Sequence, residues 1–322
     1  NTLIQLALFY TIFNVIGVSL FWLLQDRLAQ KLKDWIPELE EPKVLIDKEP
    51  EAPLLPEEKD EPLHARYLKD SALSSTKTAT QAVFQELEHL ARMSLEVICH
   101  ALYLPISELS SDKMDEKALE EFHEEGFIDA EKLYRHHIKG IYSEILTFIS
   151  RIEYSEEDEE YQQVLMNCQI IALKLAAAVK NSKHLQVNLK AYLAGEAGPA
   201  RSAYTQLRRY ILKNLRTFYR LNLEEKSLPH VAISDEKLES ILLASKSFEE
   251  AFRAQLYYSL RSNQFDGFIT SSLLNDMSYA KQVVTSLYSI LKLAINSDYD
   301  ALDNNTDEKD ESFSENDVKI GF

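Results

Sequence analysis

Glycine and proline are scarce in this chain, 7 and 9 among 322 residues. A sandwich or barrel needs both at closely spaced corners, so their shortage argues against a turn-rich β architecture and for long helices. Cysteine is scarcer still. Cys99 and Cys168 are the two, both inside apolar helical patterns, which excludes a disulfide framework and points to buried, reduced thiols. Positive charge is in deficit, with 35 Lys and Arg against 52 Asp and Glu. Neutralising phosphates takes clustered cations, so no nucleic-acid partner is expected. The signatures of catalysis are missing as well: no Gly-rich phosphate loop, no GxSxG, no CxxC and no HExxH. His136 and His137 are adjacent and, on a helix, point about 100° apart, so they cannot share an ion from one face. His89, His100, His123, His184 and His230 stand alone. Glu120, Glu121, Glu124 and Glu125 lie in solvated charge runs. The chain is read as a non-enzyme that holds no metal and no cofactor.

What is present begins with "LFYTIFNVIGVSLFW", residues 8–22. From Leu3 to Leu24 no side chain is formally charged, long enough as a helix to cross about 30 Å of hydrocarbon. A secretory signal would need a basic start and a small-residue cleavage site. The start here is neutral and the exit reads "LLQDRLAQKLKDW". A transmembrane helix over 1–26 is expected. Arg27, Lys31 and Lys33 follow it and place residues 27–322 in the cytoplasm by the positive-inside rule, with membrane lipid as a partner. Asn14 and Gly17 would be costly or wasted facing lipid, so they define a helix-packing face toward further transmembrane helices. The opening Asn1 in place of Met suggests that sequence is missing before it.

Residues 27–70 hold most of the prolines in an acidic background and read as an extended cytoplasmic linker, a plain tether. From Ser71 the period becomes helical. Val83, Leu87, Leu90, Ser94, Val97 and Ala101 form one stripe, Ile138, Ile141, Ile145, Phe148 and Ile152 a second, and Ile171, Leu175, Ala178 and Leu185 a third. Asp129 and Ser234 are expected to cap helices. "AGEAGPA" supplies the tight Gly/Pro cluster of the body, after which three more helices follow. The expected fold is all-α: one transmembrane helix, then tandem antiparallel three-helix bundles over 71–195 and 196–297, then a disordered acidic tail over 298–322. One stretch is both basic and aromatic, "YTQLRRYILKNLRTFYR". Arg208, Arg209, Lys213, Arg216 and Arg220 repeat there at helical spacing. They form either a face for anionic lipid or a phosphate-bearing partner, or a solvated face paired with acidic helices of the same body.

These segments resemble, in order, the closing region of bacterial sodium-dependent phosphate symporters, the Na/Pi-cotransporter family. Ala7, Phe13, Asn14 and Gly17 match that family's last transmembrane helix, with Tyr10 where histidine is usual. Ala65, Tyr67, Leu68, Ala79, Glu86 and Met93 are similar to the segment that follows the linker. Lys180, Lys183, Asn188, Ser272, Leu274 and Asn275 are similar to the later helices of its PhoU-type bundles. The resemblance implies a bacterial inner-membrane protein whose cytoplasmic bundles regulate phosphate transport and contact phosphate-signalling proteins. Sodium and phosphate would bind a transporter portion that these residues do not include. Metal-binding PhoU domains carry acidic pairs where Lys180 and His184 stand here, so no metal is expected. The alternative is a membrane-anchored helical signalling or scaffold protein without transport.

Overall fold

The computed structural model describes residues 5, 8–15, 27, 31, 45–46, 62–111, 113–122, 124, 126–155, 158–224 and 234–295, and among them every regular element is helical. Most of the expected span over 1–26 with Gly17, most of the linker, the turn at Pro229 and the tail over 298–322 lie outside the described residues. Contacts divide the chain into two units, residues 1–43 and 44–322.

In the first unit residues 8–15 are helical. Leu8, Phe9, Tyr10, Phe13 and Val15 are each more than half exposed, and Phe9 stacks on Phe13 one turn on. Asn14 is exposed beside them.

The second unit is built on long helices that follow the apolar stripes. Helix α1 (Thr76–Ala101) starts where Ser75 accepts the Thr78 amide and buries the Val83 to Ala101 stripe throughout. Short helices α2 (Ser107–Ser110) and α3 (Glu116–Glu120) lead to α4 (Ala130–Leu133), capped by Asp129. A π turn over Tyr134–Ile138 joins α4 to α5 (Lys139–Ile149). Helix α6 (Glu159–Leu193) follows, then α7 (Pro199–Tyr219), α8 (Asp235–Arg261) and α9 (Gly267–Ile295). Pro199 opens α7 at a position where its missing amide costs nothing, and Ser234 caps α8 through the Lys237 amide.

Cross-helix pairs fix the directions. Thr76 meets Asp158 and His100 meets Gln186, so α1 and α6 run parallel. Asn188 meets Asp276 and His184 stacks on Tyr279, so α6 and α9 are antiparallel. Tyr204 reaches Asp276 and Asn214 reaches Tyr288, so α7 and α9 run parallel. Helix α6 is the central strut, packed on α1, α5, α7 and α9. It is also the one helix among the described residues that is long and apolar enough to cross a membrane, and half of its most apolar window is buried within the body. Residues 194–198 form the turn after α6, yet 44–322 cluster as one unit with a continuous core across it.

Helix α8 is the loosest member. Its buried positions, Leu238, Ser245, Glu249, Phe252, Leu256 and Ser259, make a narrow seam at steps of three, four and seven. Its main support is α9.

Candidate functional site

The linker is the first surprise: at residues 45–46 and 62–67 it is docked and not a free tether. Three carboxylates of the helical body hold it by its main chain. Glu96 on α1 accepts the amides of Leu45 and Ile46 at 2.9 and 3.0 Å. Glu86, fully buried one face along α1, accepts those of Arg66 and Tyr67 at 2.7 and 2.8 Å. Glu144 on α5 accepts the Ala65 amide at 2.7 Å and meets the His64 ring. An ionised carboxylate has four lone-pair positions and no proton to give, so it suits two amides that have no helical partner. The second oxygen of Glu86 meets His89 Nδ1 at 2.8 Å, and His89 Nε2 is buried without a partner.

The same strap shapes α5. The Leu63 amide donates to the His136 carbonyl inside the π turn at 2.8 Å. Gly140, one turn on, comes so close that a Cβ there would sit 2.6 Å from the Leu63 carbonyl oxygen and 3.0 Å from Pro62 Cβ. A lone glycine inside a helix is costly, and here close backbone approach requires it. Residues 62–67 therefore lie along α5 and α1 as a strap, largely exposed on its outer side and gripped from beneath.

The five basic residues, four on α7 and Arg220 just after it, do not form one face. Arg208 is fully buried. Its guanidinium fans onto four main-chain carbonyls: Leu102 at 2.9 Å, Leu119 at 2.7 Å, Tyr103 at 2.8 Å and Ala118 at 3.2 Å. These are the C-terminal ends of α1 and α3, where helix dipoles favour a cation. Burial, and then Arg201, lower its pKa to about 10. Arg216 is buried as well, on the carbonyls of Glu108 and Ser111 and the Ser111 hydroxyl. Arg220 adds a bond to the same Ser111 carbonyl. Arg209 pairs with Glu116. Lys213 alone of the five is exposed with no ion pair among the described residues. A lipid or partner face made of all five is thereby overturned: three of them are internal clamps.

The clamp at Arg208 supports an unusual helix end. Helix α1 closes with Tyr103 in the left-handed region, φ 54°, with Tyr103 N–H on the His100 carbonyl and Leu104 N–H on that of Cys99. That is the double bond pattern of a glycine-terminated helix, made by a tyrosine. The Tyr103 ring meets Phe122 and Phe127 edge-on at 4.9 and 5.7 Å.

Between α6, α7 and α9 lies a buried acid. Asp276, 1% exposed, accepts from Tyr204 at 2.7 Å and Asn188 at 2.9 Å through one oxygen, while its other oxygen has no partner. Among the described residues no cation pairs with it, and burial raises its pKa. Cys99 and Cys168 are free and buried, and burial pushes both thiols up. Among the described residues no three of His, Cys, Asp and Glu cluster as metal ligands; Lys180 and Lys183 lie over the Tyr134 ring. No family model matches the chain, and no curated protein or solved structure matches it.

Proposed function

We propose that this chain is the C-terminal part of a bacterial sodium-dependent phosphate symporter, a last transmembrane helix followed by a PhoU-like region of tandem three-helix bundles that regulates transport from the cytoplasmic side. The ordered series of motifs supports it. So do the apolar side chains that residues 8–15 leave exposed, since a helix meant for water would not present them together. The directions of α1, α5, α6 and of α7, α8, α9, with first and third members parallel in each set, suit two three-helix bundles. Lys180, Lys183 and His184 favour a region that regulates without a metal cluster.

The observation that carries the regulatory reading is the strap. The chain that leads from the apolar segment to the bundles is not slack at 62–67 but held on α1 and α5 by Glu86, Glu144 and Gly140. A held strap gives the bundles a grip on the segment before it, and gives that segment a grip on the bundles. Phosphate uptake by the complete transporter, with and without residues 37–322 and with Glu86→Ala plus Glu144→Ala, tests this. Altered rate or altered response to phosphate supply is expected in both. Identical uptake and response in all three proteins removes the role.

A further inference from the structure

Independently of that reading, helices α7 and α8 stand apart and enclose a cavity of about 470 Å³. Tyr210 bridges its depth: its hydroxyl meets Ser245 at 2.6 Å and its ring stacks on Phe248 at 4.3 Å with planes 6° apart. The volume falls within the range of small-molecule sites, and the lining is mostly apolar with a few convergent polar groups. Tyr210, Asn214, Ser245 and Tyr288 are all more than nine-tenths buried.

The balance of donors and acceptors says what would fit. Tyr210 and Ser245 own two hydroxyl protons, and the bond between them uses one. Asn214 accepts from the Tyr288 hydroxyl and spends one of its two amide protons on the Tyr210 carbonyl. One hydroxyl proton and one amide proton thus have no acceptor among these groups. Arg209 Nε–H, also at the cavity, is buried without an acceptor. Lys213 stands exposed at the mouth. Among the described residues no Asp or Glu lines the cavity, in a chain with 52 of them.

We infer that the α7–α8 cavity binds an organic oxyanion with a flat apolar body, an aryl phosphate or aryl carboxylate, its body against Phe248 and Tyr288 and its charge toward Lys213 and Arg209. The aromatic walls receive the ring, and the spare donors and Lys213 receive the oxygens; two acids stand close behind the lining, Glu116 paired with Arg209 and Glu249 paired with Lys281.

The test is calorimetric titration of 1-naphthyl phosphate into the full chain in lipid nanodiscs, with empty nanodiscs subtracted. One saturable site per chain is expected. Lys213→Glu weakens binding by roughly tenfold or more, and Ala244→Trp, which fills the slot, abolishes it. Both positions are exposed, so the fold survives; far-UV circular dichroism checks that. Lys139→Glu, exposed on α5, which contributes no residue to the cavity, changes affinity by less than about twofold. Inorganic phosphate competes only at roughly tenfold higher concentration or above, because it lacks the apolar body. The proposal is overturned if no saturable site appears, if Lys213→Glu or Ala244→Trp titrates like the parent, or if inorganic phosphate displaces the probe at equal concentration.

Discussion

Replacing Arg208 by Met keeps the length and much of the volume of the side chain but removes every donor. Four carbonyls, of Leu102, Tyr103, Ala118 and Leu119, then lose their partner inside the body. A bond to a charged group contributes about 1.5–3 kcal/mol and a stranded buried acceptor costs about 1–3 kcal/mol, without simple additivity. Against this, burying a guanidinium with no carboxylate beside it costs several kcal/mol, which Arg208→Met recovers. Two of the four carbonyls belong to the left-handed end at Tyr103, whose own strain is about 1–2 kcal/mol. The expected net loss is about 4 kcal/mol, a large share of the 5–15 kcal/mol by which domains are stable. At about 2–4 °C per kcal/mol for a body of this size, melting falls by roughly 10 °C. Urea unfolding followed by circular dichroism measures it. Arg208→Lys is expected to lose most of the same stability, because one ammonium cannot span carbonyls on two separate segments. If Arg208→Met unfolds within about 1 kcal/mol of the parent, the clamp contributes little and the reasoning fails.

Gly140→Ala sets two effects against each other: alanine favours the helix by about 1 kcal/mol, but its Cβ would sit 2.6 Å from the Leu63 carbonyl. Hydrogen exchange at residues 62–67 is expected to quicken while the α5 amides stay protected, and unchanged exchange in the strap would falsify the close approach. Asp276 has a raised folded pKa, so the folded state takes up its proton first and stability gains as pH falls through that value, completing near the ordinary 3.8. Asp276→Asn removes this gain; equal pH profiles for parent and variant in urea titrations between neutral and acid would show that the carboxyl is not strained. Cys99 and Cys168 should react with a thiol reagent such as DTNB only on unfolding, at the global rate, and fast labelling of either in the native chain contradicts their burial.

Much of the body was legible because its signals are local. The stripes from Val83 to Ala101 and from Ile171 to Leu185 repeat at helical steps, and all their members are buried. Asp129 and Ser234 cap the helices expected of them, since a cap needs only the next three residues. The arginines were misjudged for a reason visible in hindsight. Tyr204, Arg208, Ile211, Leu215 and Phe218 lie at steps of three and four on the buried side of α7, so Arg208 occupies a core position and Arg209 does not. A charged residue inside an apolar stripe is a signal of a buried clamp, which the count of cations along the segment concealed. The strap could not be read. Its carboxylates lie 19 to 79 residues away in sequence, and its own residues have no period; only Gly140, a lone glycine in a helical run, hinted at a neighbour.

The two sets of clamps share a logic that has a consequence for the strap. Glu86, Glu96 and Glu144 take amides and Arg208 and Arg216 take carbonyls, so each grips main chain, with side-chain contacts to the segment held added at His64 on Glu144 and at the Ser111 hydroxyl on Arg216. Arg66 illustrates it: its side chain is exposed, while its amide is bound at 2.7 Å. Arg66→Ala keeps that amide and is expected to change stability by less than about 0.5 kcal/mol. Glu86→Ala removes the acceptor of two amides and the partner of His89 together, so exchange at residues 66 and 67 rises to that of an open loop. Position 66 is thereby free to vary in sequence while the glutamate beneath it is not, whereas His64 and Tyr67 also make side-chain contacts, to Glu144 and to the His89 ring. If Arg66→Ala opens the strap as far as Glu86→Ala does, the hold lies in side chains, and the picture of a backbone grip is wrong.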